Sequence, residues 1–325
     1  MKFLFYDAPN RTWDDKIKEL AAEFQDVQFI TQDNITDDDI KEAHAFVGIA
    51  PQEHLEKAAD LKIIFVSFTG PNMLPLDNLR ERGIRLSNTH GNARFVAERA
   101  ISLAMAFYGK IIAFHEDLKN EKWHGIWGGG GPEDTWESLF EKDCAVIGAG
   151  EIGKWIARYL KMFDCHVIGF RKRAIKNNIA EFDKVTLDLS EALEKSEIVF
   201  ITLPLTDETE GMFDSKILSS MKDKVIVNVG RGAVIDEEGL YSALKQGILK
   251  GAALDVWFNY PEWGKGRGKP SRFPFHELDN VILSPHVGGY VPRAASINTE
   301  KTIDNIRAYL KTGKPLFEID FDLKY

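Results

Sequence analysis

The chain has 325 residues, a formal net charge of −9, 44% hydrophobic residues and 28% charged residues. This length accommodates two domains with sizeable cores, and the composition is typical of a globular protein. The acidic balance argues against a nucleic-acid partner, and no apolar run approaches the ~18 residues of a membrane span. With two cysteines and an N-terminus too short in apolar residues for a signal peptide, the sequence predicts a cytoplasmic protein.

The first third of the chain alternates short apolar runs with amphipathic segments. It predicts strands at 3–6, 27–30, 45–49, 63–66 and 84–87, and helices at 13–24, 52–61 and 77–82. Such alternation predicts a parallel sheet covered by helices on both faces. Because this part contains no glycine fingerprint, we expect a cofactor to bind elsewhere.

A long helical pattern begins at Asn92 and contains more apolar residues than one buried face requires. We expect this helix to pack between domains or against another subunit. The segment 123–131, WHGIWGGGG, follows it. Its four consecutive glycines predict a turn or mobile loop rather than a regular element.

The segment 143–173 has the pattern of a βαβ unit around a G-x-G-x-x-G motif. Gly148 permits a tight turn, Gly150 lets the backbone approach a pyrophosphate, and Gly153 lets the helix pack closely on its strand. Glu151 and Ile152 complete the motif and open the helix, whose free N–H groups suit phosphates. The order of strand, glycines, helix and strand predicts a dinucleotide site; a glycine-rich turn of another α/β protein is the alternative.

The second strand of this unit ends in a cluster of cations. An NAD-binding unit normally has an acidic residue here for the ribose 2′-hydroxyl, whereas this chain has Arg171, Lys172 and Arg173. Three cations suit a 2′-phosphate and leave a 2′-hydroxyl without its acceptor. We therefore expect NADP, with NAD and a merely solvated basic loop as the alternatives.

Three later strand ends carry residues that could do chemistry, because ligands of open α/β sheets bind at the carboxyl ends of strands. Arg231 stands between Gly230 and Gly232, and a guanidinium can bind a carboxylate with two parallel hydrogen bonds. His286 follows the strand predicted at 281–283, and Asp255 lies near the end of another. Taken singly, Arg231 could equally be an exposed arginine, His286 a loop histidine and Asp255 a cap.

Together with the fingerprint, these motifs resemble the D-2-hydroxyacid dehydrogenase family. The matching stretches are Val96-Ala97-Glu98, the glycine motif, Leu203-Pro204-Leu205-Thr206 with Glu208-Thr209, Asn228-Val229-Gly230-Arg231-Gly232, Gly251-Ala252-Ala253-Leu254-Asp255-Val256 and Ser284-Pro285-His286. The resemblance implies an α/β fold of two doubly wound parallel-sheet domains. A Rossmann cofactor domain (92–285) would be inserted into a flavodoxin-like substrate domain (1–91 and 286–325), with a deep cleft between them.

The resemblance also implies roles for particular residues. Arg231 would bind the carboxylate and keto oxygen of a small 2-keto acid, and His286 would exchange a proton with that oxygen during hydride transfer. Backbone N–H groups near Thr69 and Gly70 would bind the other end of the carboxylate, and Asp255 would hold the nicotinamide carboxamide. Further cofactor contacts are expected from Leu203, Pro204, Thr209, Val229, Gly230, His286 and Gly288. No metal is expected, and members usually dimerise through the helix that begins near Val96.

Two positions depart from the family pattern. A family G-x-D is Gly70-Pro71-Asn72 here, and the glutamate that partners the catalytic histidine aligns with Tyr260. Glu262 is the next carboxylate and lies two residues later. Either Glu262 takes the role of the missing partner, or His286 works without a carboxylate and Tyr260 assists it.

We therefore predict an NADPH-dependent reductase of small 2-keto acids such as glyoxylate or hydroxypyruvate. D-3-phosphoglycerate dehydrogenase is an alternative, although the first domain has no obvious cationic cluster for a phosphate. A formate dehydrogenase-like enzyme is a second alternative, since that reaction requires no acid–base proton. The third is a dinucleotide-sensing binding protein like the C-terminal-binding-protein corepressors, because fold alone does not decide function.

Overall fold

The computed structural model describes residues 1–6, 11–70, 74–173, 179–262 and 264–322. They form two compact units, one of Met1–Asn92 with Tyr290–Tyr325 and the other of Ala93–Gly289. Pro71 and Asn72, where the family G-x-D pattern is altered, lie outside the described residues. The described helices include none that is long and apolar enough to cross a bilayer.

The first unit is built on a five-stranded parallel sheet. Its strands are β1 (Lys2–Phe5), β2 (Gln28–Thr31), β3 (Ala45–Val47), β4 (Ile63–Phe65) and β5 (Arg85–Ser87), connected by α1 (Arg11–Glu23), α2 (Asp37–Lys41), α3 (Gln52–Lys57) and α4 (Leu76–Glu81). The spatial order β2-β1-β3-β4-β5 is that of a flavodoxin-like sheet. Phe3 and Phe5 pack in one core and Leu4 in the other, because successive strand side chains point to opposite faces.

The second unit is built on a seven-stranded parallel sheet. Its elements in chain order are α5 (Ala93–Tyr108), α6 (Ile111–Lys119), β6 (Asp143–Ile147), α7 (Glu151–Lys161), β7 (His166–Phe170), β8 (Lys184–Thr186), α8 (Leu189–Glu194), β9 (Ile198–Ile201), α9 (Ser215–Ser220), β10 (Val225–Asn228), α10 (Glu237–Lys245), β11 (Gly251–Leu254) and β12 (Val281–Leu283). The spatial order is β12-β11-β10-β9-β6-β7-β8. The order reverses between β6 and β9, which is where doubly wound sheets bind ligands.

The predicted strands are all present, and the structure adds β8, which the sequence did not indicate. A final helix, α11 (Pro292–Thr312), belongs to the first unit, where Ile303 and Ile306 pack in the same core as Phe3. The second unit ends at Gly289 rather than at the expected Pro285. The residues after Pro285 belong with this unit because their backbone is hydrogen-bonded to Asp255.

The helical pattern that begins at Asn92 forms two helices. Lys110 has a left-handed backbone (φ 49°) and separates α5 from α6. Most apolar residues of α5 are buried in the core of its own unit, whereas α6 buries none and exposes Ile111, Ile112 and Leu118. The apolar excess predicted for one helix therefore appears at the surface on α6.

Candidate functional site

The three glycines of the fingerprint have different surroundings. Gly148 follows β6 with φ 115°, and a Cβ there would lie 2.5 Å from Thr202 Oγ1. A Cβ on Gly153 would lie 2.2 Å from the Gly148 carbonyl oxygen, which is impossible without moving the backbone. Gly150 caps the N-terminus of α7, and a Cβ there would meet no atom within 4 Å. Gly148 and Gly153 are thus needed for packing, while the space beside Gly150 is open.

This end of the unit fits the pyrophosphate of a dinucleotide. The Gly148 and Ala149 N–H groups each donate to the Phe170 carbonyl at 3.0 Å, which fixes the turn to the end of β7. The first N–H groups of α7 have no helical acceptor, and the helix dipole favours an anion beside them. Glu151 lies in this first turn but is paired with Lys154 at 2.8 Å. Ile152 packs against the core of the unit.

The basic cluster after β7 is bonded at two points. The Arg171 N–H donates to the Thr186 carbonyl at 3.1 Å, which continues the β7–β8 pairing. Lys172 Nζ lies 3.1 Å from Glu208 Oε2, and both side chains are about half exposed. Arg173 is exposed. The cluster thus occupies the position expected for a 2′-phosphate site, with one of its charges shared with a carboxylate from the loop after β9.

The loop after β9 is held by its own hydroxyl groups. Thr209 Oγ1 donates to the Pro204 carbonyl at 2.6 Å and accepts from the Thr206 N–H at 2.9 Å. Leu203 is buried, and a Cβ on Gly230 would lie 2.6 Å from the Leu203 carbonyl oxygen. The Thr209 hydroxyl therefore fixes the loop through hydrogen bonds to its backbone.

Arg231 follows β10 in a turn that is fixed by a side chain of that strand. Buried Asn228 accepts from the Gly230 N–H and donates to the Arg231 carbonyl, both at 3.0 Å. Val229 is buried beneath the turn. Gly230 and Gly232, on either side of Arg231, have no room for a side chain, and a Cβ on Gly232 would lie 2.3 Å from the Trp257 carbonyl oxygen. They allow neighbouring strand ends to pack closely.

His286 lies in a turn held by Asp255 from both sides. The Asp255 carboxylate is 2% exposed and accepts from Ser284 Oγ, from the Val287 N–H at 3.2 Å and from the Gly288 N–H at 2.8 Å. His286 has a left-handed backbone (φ 56°), which costs a non-glycine residue about 1–2 kcal/mol. Hydrogen bonds to a charged acceptor contribute about 1.5–3 kcal/mol each and can offset this cost. Asp255, expected at the nicotinamide, thus also binds the turn of the predicted catalytic histidine.

Arg231, Asp255 and His286 are electrostatically coupled. They follow β10, β11 and β12, which are adjacent parallel strands, so all three lie at one edge of the sheet. Although His286 is exposed, partial desolvation lowers its pKa, the Arg231 charge lowers it further, and Asp255 opposes both effects. Burial also lowers the pKa of Arg231 from its very high ordinary value.

Tyr260 and Glu262 are placed differently with respect to His286. The Tyr260 and His286 ring centroids are 5.4 Å apart, and the Tyr260 hydroxyl accepts from the Trp257 N–H at 3.2 Å. Desolvation raises the pKa of Tyr260, so the phenol is neutral at neutral pH. Glu262 is exposed and pairs with Lys265 at 2.5 Å. Tyr260 is therefore a neighbour of the histidine, whereas the contact found for Glu262 is with Lys265.

The loop predicted to bind the substrate, at Thr69 and Gly70, is hydrogen-bonded to residues of the same unit. Thr69 Oγ1 is 2.9 Å from both the Thr89 carbonyl and Asn92 Oδ1, and the Thr69 carbonyl accepts from Asn88 Nδ2 at 2.8 Å. Gly70 follows and adjoins the residues that are not described. The expected contact of this backbone with a carboxylate stays a prediction.

Sequence reasoning gave no role to three residues that support the site. Asn228 is the one polar residue of the buried strand β10, a pattern that could have indicated a structural hydrogen-bonding role. Ser284 directly follows β12, and Arg99 is a charged residue on the largely apolar helix α5. Arg99 Nη2 donates to Ser284 Oγ at 2.8 Å. No spacing rule links positions so far apart in the chain.

Comparison with known proteins places this architecture in a family. Residues 101–288 match the family model described as D-isomer specific 2-hydroxyacid dehydrogenase, NAD binding domain. Glyoxylate reductase from Thermofilum pendens is 31% identical over 271 residues, covering 81% of this chain and 76% of that protein. D-3-phosphoglycerate dehydrogenase from Archaeoglobus fulgidus is 30% identical over 271 residues, covering 81% of this chain and 48% of that protein.

A solved structure supports the same assignment across nearly the whole chain. The acyclic imino acid reductase Bsp5, in complex with NADPH and D-Arg, is 27% identical with a TM-score of 0.78 and covers 98% of this chain and 100% of its own. The family match spans more than half of the chain and includes the fingerprint and both strand ends that carry Arg231 and His286. The chain therefore belongs to the D-isomer-specific 2-hydroxyacid dehydrogenase family and is an NAD(P)-dependent oxidoreductase.

Proposed function

We propose that this enzyme reduces a small 2-keto acid of the glyoxylate or hydroxypyruvate type to a D-2-hydroxy acid, with NADPH as its preferred cofactor. The observation that carries the proposal is the placement of Arg231 and His286 after β10 and β12, at the same edge of one parallel sheet. A carboxylate-binding cation and a proton donor within reach of each other are what reduction of a 2-keto acid requires. The similarity to glyoxylate reductases favours the same substrate class.

In this reaction Arg231 binds the substrate carboxylate and orients the keto group. When bound, the nicotinamide cofactor supplies the hydride that adds to C2 of the substrate. Protonated His286 gives its proton to the keto oxygen, so the product is the neutral hydroxyl and the ring is left uncharged. The Trp257 N–H bond occupies a lone pair of the Tyr260 hydroxyl and leaves the hydroxyl's proton for another acceptor. Tyr260 can thus add a hydrogen bond at the keto oxygen.

The lowered pKa of His286 sets the direction of the pH dependence. Reduction requires the protonated ring, so kcat/KM for reduction falls as pH rises through the pKa of His286, below its ordinary value of 6.5. Oxidation of the hydroxy acid requires the neutral ring and has the opposite dependence. Glu262, paired with Lys265, leaves this behaviour unchanged.

The preference for NADPH rests on Arg171, Lys172 and Arg173, which provide charge for a 2′-phosphate. Each charge-assisted hydrogen bond contributes about 1.5–3 kcal/mol, so we expect kcat/KM about tenfold or more higher with NADPH than with NADH. Arg171→Asp should reverse the preference. Equal efficiency with the two cofactors in the unmodified enzyme would remove the basis for this part of the proposal.

A homodimer completes the proposed assembly. Its interface would include the expected helix α5, which begins near Val96, and continue onto α6 and the following loop, which expose Ile111 (56%), Ile112 (51%), Trp123 (59%), Ile126 (79%) and Trp127 (81%). So many exposed apolar side chains in one stretch are typical of an association surface. Ile112→Glu should convert the dimer to a monomer in analytical ultracentrifugation, whereas a monomeric unmodified chain would refute this surface.

The activity is tested with purified enzyme, NADPH or NADH, and a panel of keto acids. The panel contains glyoxylate, hydroxypyruvate, pyruvate, phenylpyruvate and 3-phosphohydroxypyruvate, with parallel reactions in the presence of ammonium to detect imine reduction. We expect the highest kcat/KM for glyoxylate or hydroxypyruvate. Preference for the phosphorylated acid would favour a D-3-phosphoglycerate dehydrogenase. NAD-dependent oxidation of formate would favour a formate dehydrogenase-like enzyme.

Arg231→Lys serves as the control for the substrate site. Lysine keeps the charge but lacks the planar pair of donors that orients a carboxylate. We expect this variant to lose most turnover while its affinity for NADPH, measured by fluorescence titration, stays within about twofold, because the proposal assigns the pyrophosphate to the fingerprint turn and Arg231 to the substrate. Near-normal kcat/KM would show that Arg231 does not bind the substrate.

A further inference from the structure

We propose that Arg99, Ser284 and Asp255 form a positioning network that fixes the turn carrying His286 and thereby sets the direction in which its imidazole delivers a proton. The network extends from helix α5 to the ends of β11 and β12, within the second unit. The proposal rests on the proposed function, since it assigns these residues to the same reaction.

Asp255 is the centre of the network. One carboxylate oxygen accepts from Ser284 Oγ and from the Val287 N–H, and the other accepts from the Gly288 N–H. These donors lie before and after His286 in the chain. The carboxylate therefore holds both ends of the turn while the side chain of His286 stays exposed.

Arg99 fixes the direction of the hydrogen bond between Ser284 and Asp255. Its Nε and Nη2 donate to Ser284 Oγ at 3.2 and 2.8 Å, and its Nε lies 4.0 Å from Asp255 Oδ1. A guanidinium has no acceptor, so the serine hydroxyl accepts from it and uses its single hydrogen toward Asp255. Arg99 also provides the positive charge that a carboxylate with 2% exposure requires.

Ser284 is held at its backbone as well as at its hydroxyl. Its N–H donates to the Leu254 carbonyl at 2.9 Å, and its carbonyl accepts from buried Trp257 Nε1 at 2.8 Å. The backbone N–H of Trp257 in turn donates to the Tyr260 hydroxyl, and the Tyr260 ring lies beside that of His286. Displacement of Ser284 would therefore affect His286 in two ways. It would shift the backbone turn that carries His286, and it would shift Tyr260, which lies beside the imidazole ring.

A second cluster in the same unit has the same chemistry without a histidine. Glu237 is 9% exposed and accepts from Ser271 Oγ at 2.8 Å and from Arg272 Nε at 2.7 Å. Ser271 and Ser284 are both buried serines that donate to a buried carboxylate beside an arginine, although Arg272 donates to Glu237 itself whereas Arg99 lies 4.0 Å from Asp255. Ser271→Ala is thus a matched control, because the hydrogen bonds found for the Ser271 hydroxyl go to Glu237 and Phe273 and none involves Asp255 or the turn of His286.

The test compares Ser284→Ala, Ser284→Thr, Arg99→Gln and Ser271→Ala in the full-length enzyme. Misplacement of a reacting group by about 1 Å can cost on the order of 10²-fold in rate, so we take roughly 10- to 100-fold as the range for loss of the Ser284 hydroxyl. We expect Ser284→Ala to lower kcat for glyoxylate by about that range, with the Kd of NADPH within about twofold. Threonine keeps the hydroxyl and should restore activity to within about threefold. Arg99→Gln should fall between them.

Ser271→Ala should lower Tm about as much as Ser284→Ala while leaving kcat/KM within about twofold and the pH profile unmoved. The pH profile reports His286 in the field of Arg231, Asp255 and Tyr260, and it should move in Ser284→Ala. Equal activity losses in the two alanine variants would reduce the network to a structural role and overturn the proposal. A raised Kd for NADPH with normal kcat in Ser284→Ala would overturn it too, by showing a cofactor-binding role instead.

Failure of the proposed function can be recognised separately. If no 2-keto acid is reduced by the unmodified enzyme, the network is tested by NMR of ring-labelled histidine, with the His286 signal assigned from His286→Gln. Ser284→Ala should then shift the resonance and the titration midpoint of His286, and Ser271→Ala should shift neither. An unchanged His286 signal in Ser284→Ala would refute the network whatever the substrate is.

Discussion

Gly150→Ala should weaken cofactor binding without destabilising the fold. The Gly150 backbone has φ −89° and ψ −159°, which alanine adopts without strain, and a Cβ there would meet no protein atom within 4 Å. Replacement of glycine at such a position usually stabilises a protein by about 0.4–1 kcal/mol through the unfolded chain. The open space is therefore not required by the protein itself.

The expected loss in binding follows from the phosphate contacts. A methyl group at Gly150 keeps the pyrophosphate away from the N–H groups that begin α7, and each hydrogen bond to a charged group is worth about 1.5–3 kcal/mol. Loss of one such bond raises the Kd of NADPH about tenfold or more, since 1.4 kcal/mol corresponds to a factor of ten. The effect should be similar for NADH, because both cofactors contain the pyrophosphate.

Gly153→Ala provides the contrast. Its Cβ would lie 2.2 Å from the Gly148 carbonyl oxygen and 3.1 Å from Val146 Cγ1, so the helix must move away from its strand. Overpacking of this kind typically costs about 1–3 kcal/mol of folding free energy. Urea unfolding of the cofactor-free enzyme and fluorescence titration with NADPH separate the two effects. A Gly150→Ala variant that binds NADPH normally, or that unfolds as readily as Gly153→Ala, would refute the reasoning.

Two further predictions concern charged groups around the site. Glu208→Gln frees Lys172 from an exposed ion pair worth about 0.2–1 kcal/mol. The Kd of NADPH should therefore fall by up to about fivefold, with little change for NADH. Weaker binding of NADPH would contradict this interpretation. Glu262→Gln should leave kcat/KM within about twofold at every pH, whereas Tyr260→Glu should move the fall of reduction to higher pH, because a carboxylate beside His286 favours its protonated ring. A large loss in Glu262→Gln would show that this carboxylate replaces the missing partner.

The sheets were predictable because buried parallel strands leave a strong local signal. Strands such as Ile198–Ile201 are continuous apolar runs, and a glycine motif between two of them identifies the cofactor unit. Strand β8, Lys184–Thr186, has a single apolar residue between two polar ones and gives no such signal. The break between α5 and α6 gave no signal in the sequence either. Apolar residues occur at helical spacing on both sides of Gly109 and Lys110, although the backbone leaves the helical conformation at Lys110.

The positions of the site residues were predictable, but their hydrogen-bond partners were not. Parallel strands bring their carboxyl ends to one edge, so Arg231, Asp255 and His286 could be expected near one another. That Asp255 binds the turn of His286 depends on donors about thirty residues away, at Ser284, Val287 and Gly288. Such pairing is set by packing in three dimensions, and no local pattern records it.

Without a carboxylate in the position that Tyr260 occupies, we expect the proton affinity of His286 to depend on the substrate. In the unliganded enzyme the Arg231 charge opposes protonation of the ring. If Arg231 binds the substrate as proposed, the carboxylate of a bound keto acid would neutralise that charge, and the pKa of His286 would rise when the substrate is in place. The acid is then charged mainly when a keto oxygen is present to receive its proton. Calorimetry with oxalate in buffers of different ionisation enthalpy should show proton uptake on binding that disappears in His286→Gln, and binding without uptake would refute this coupling.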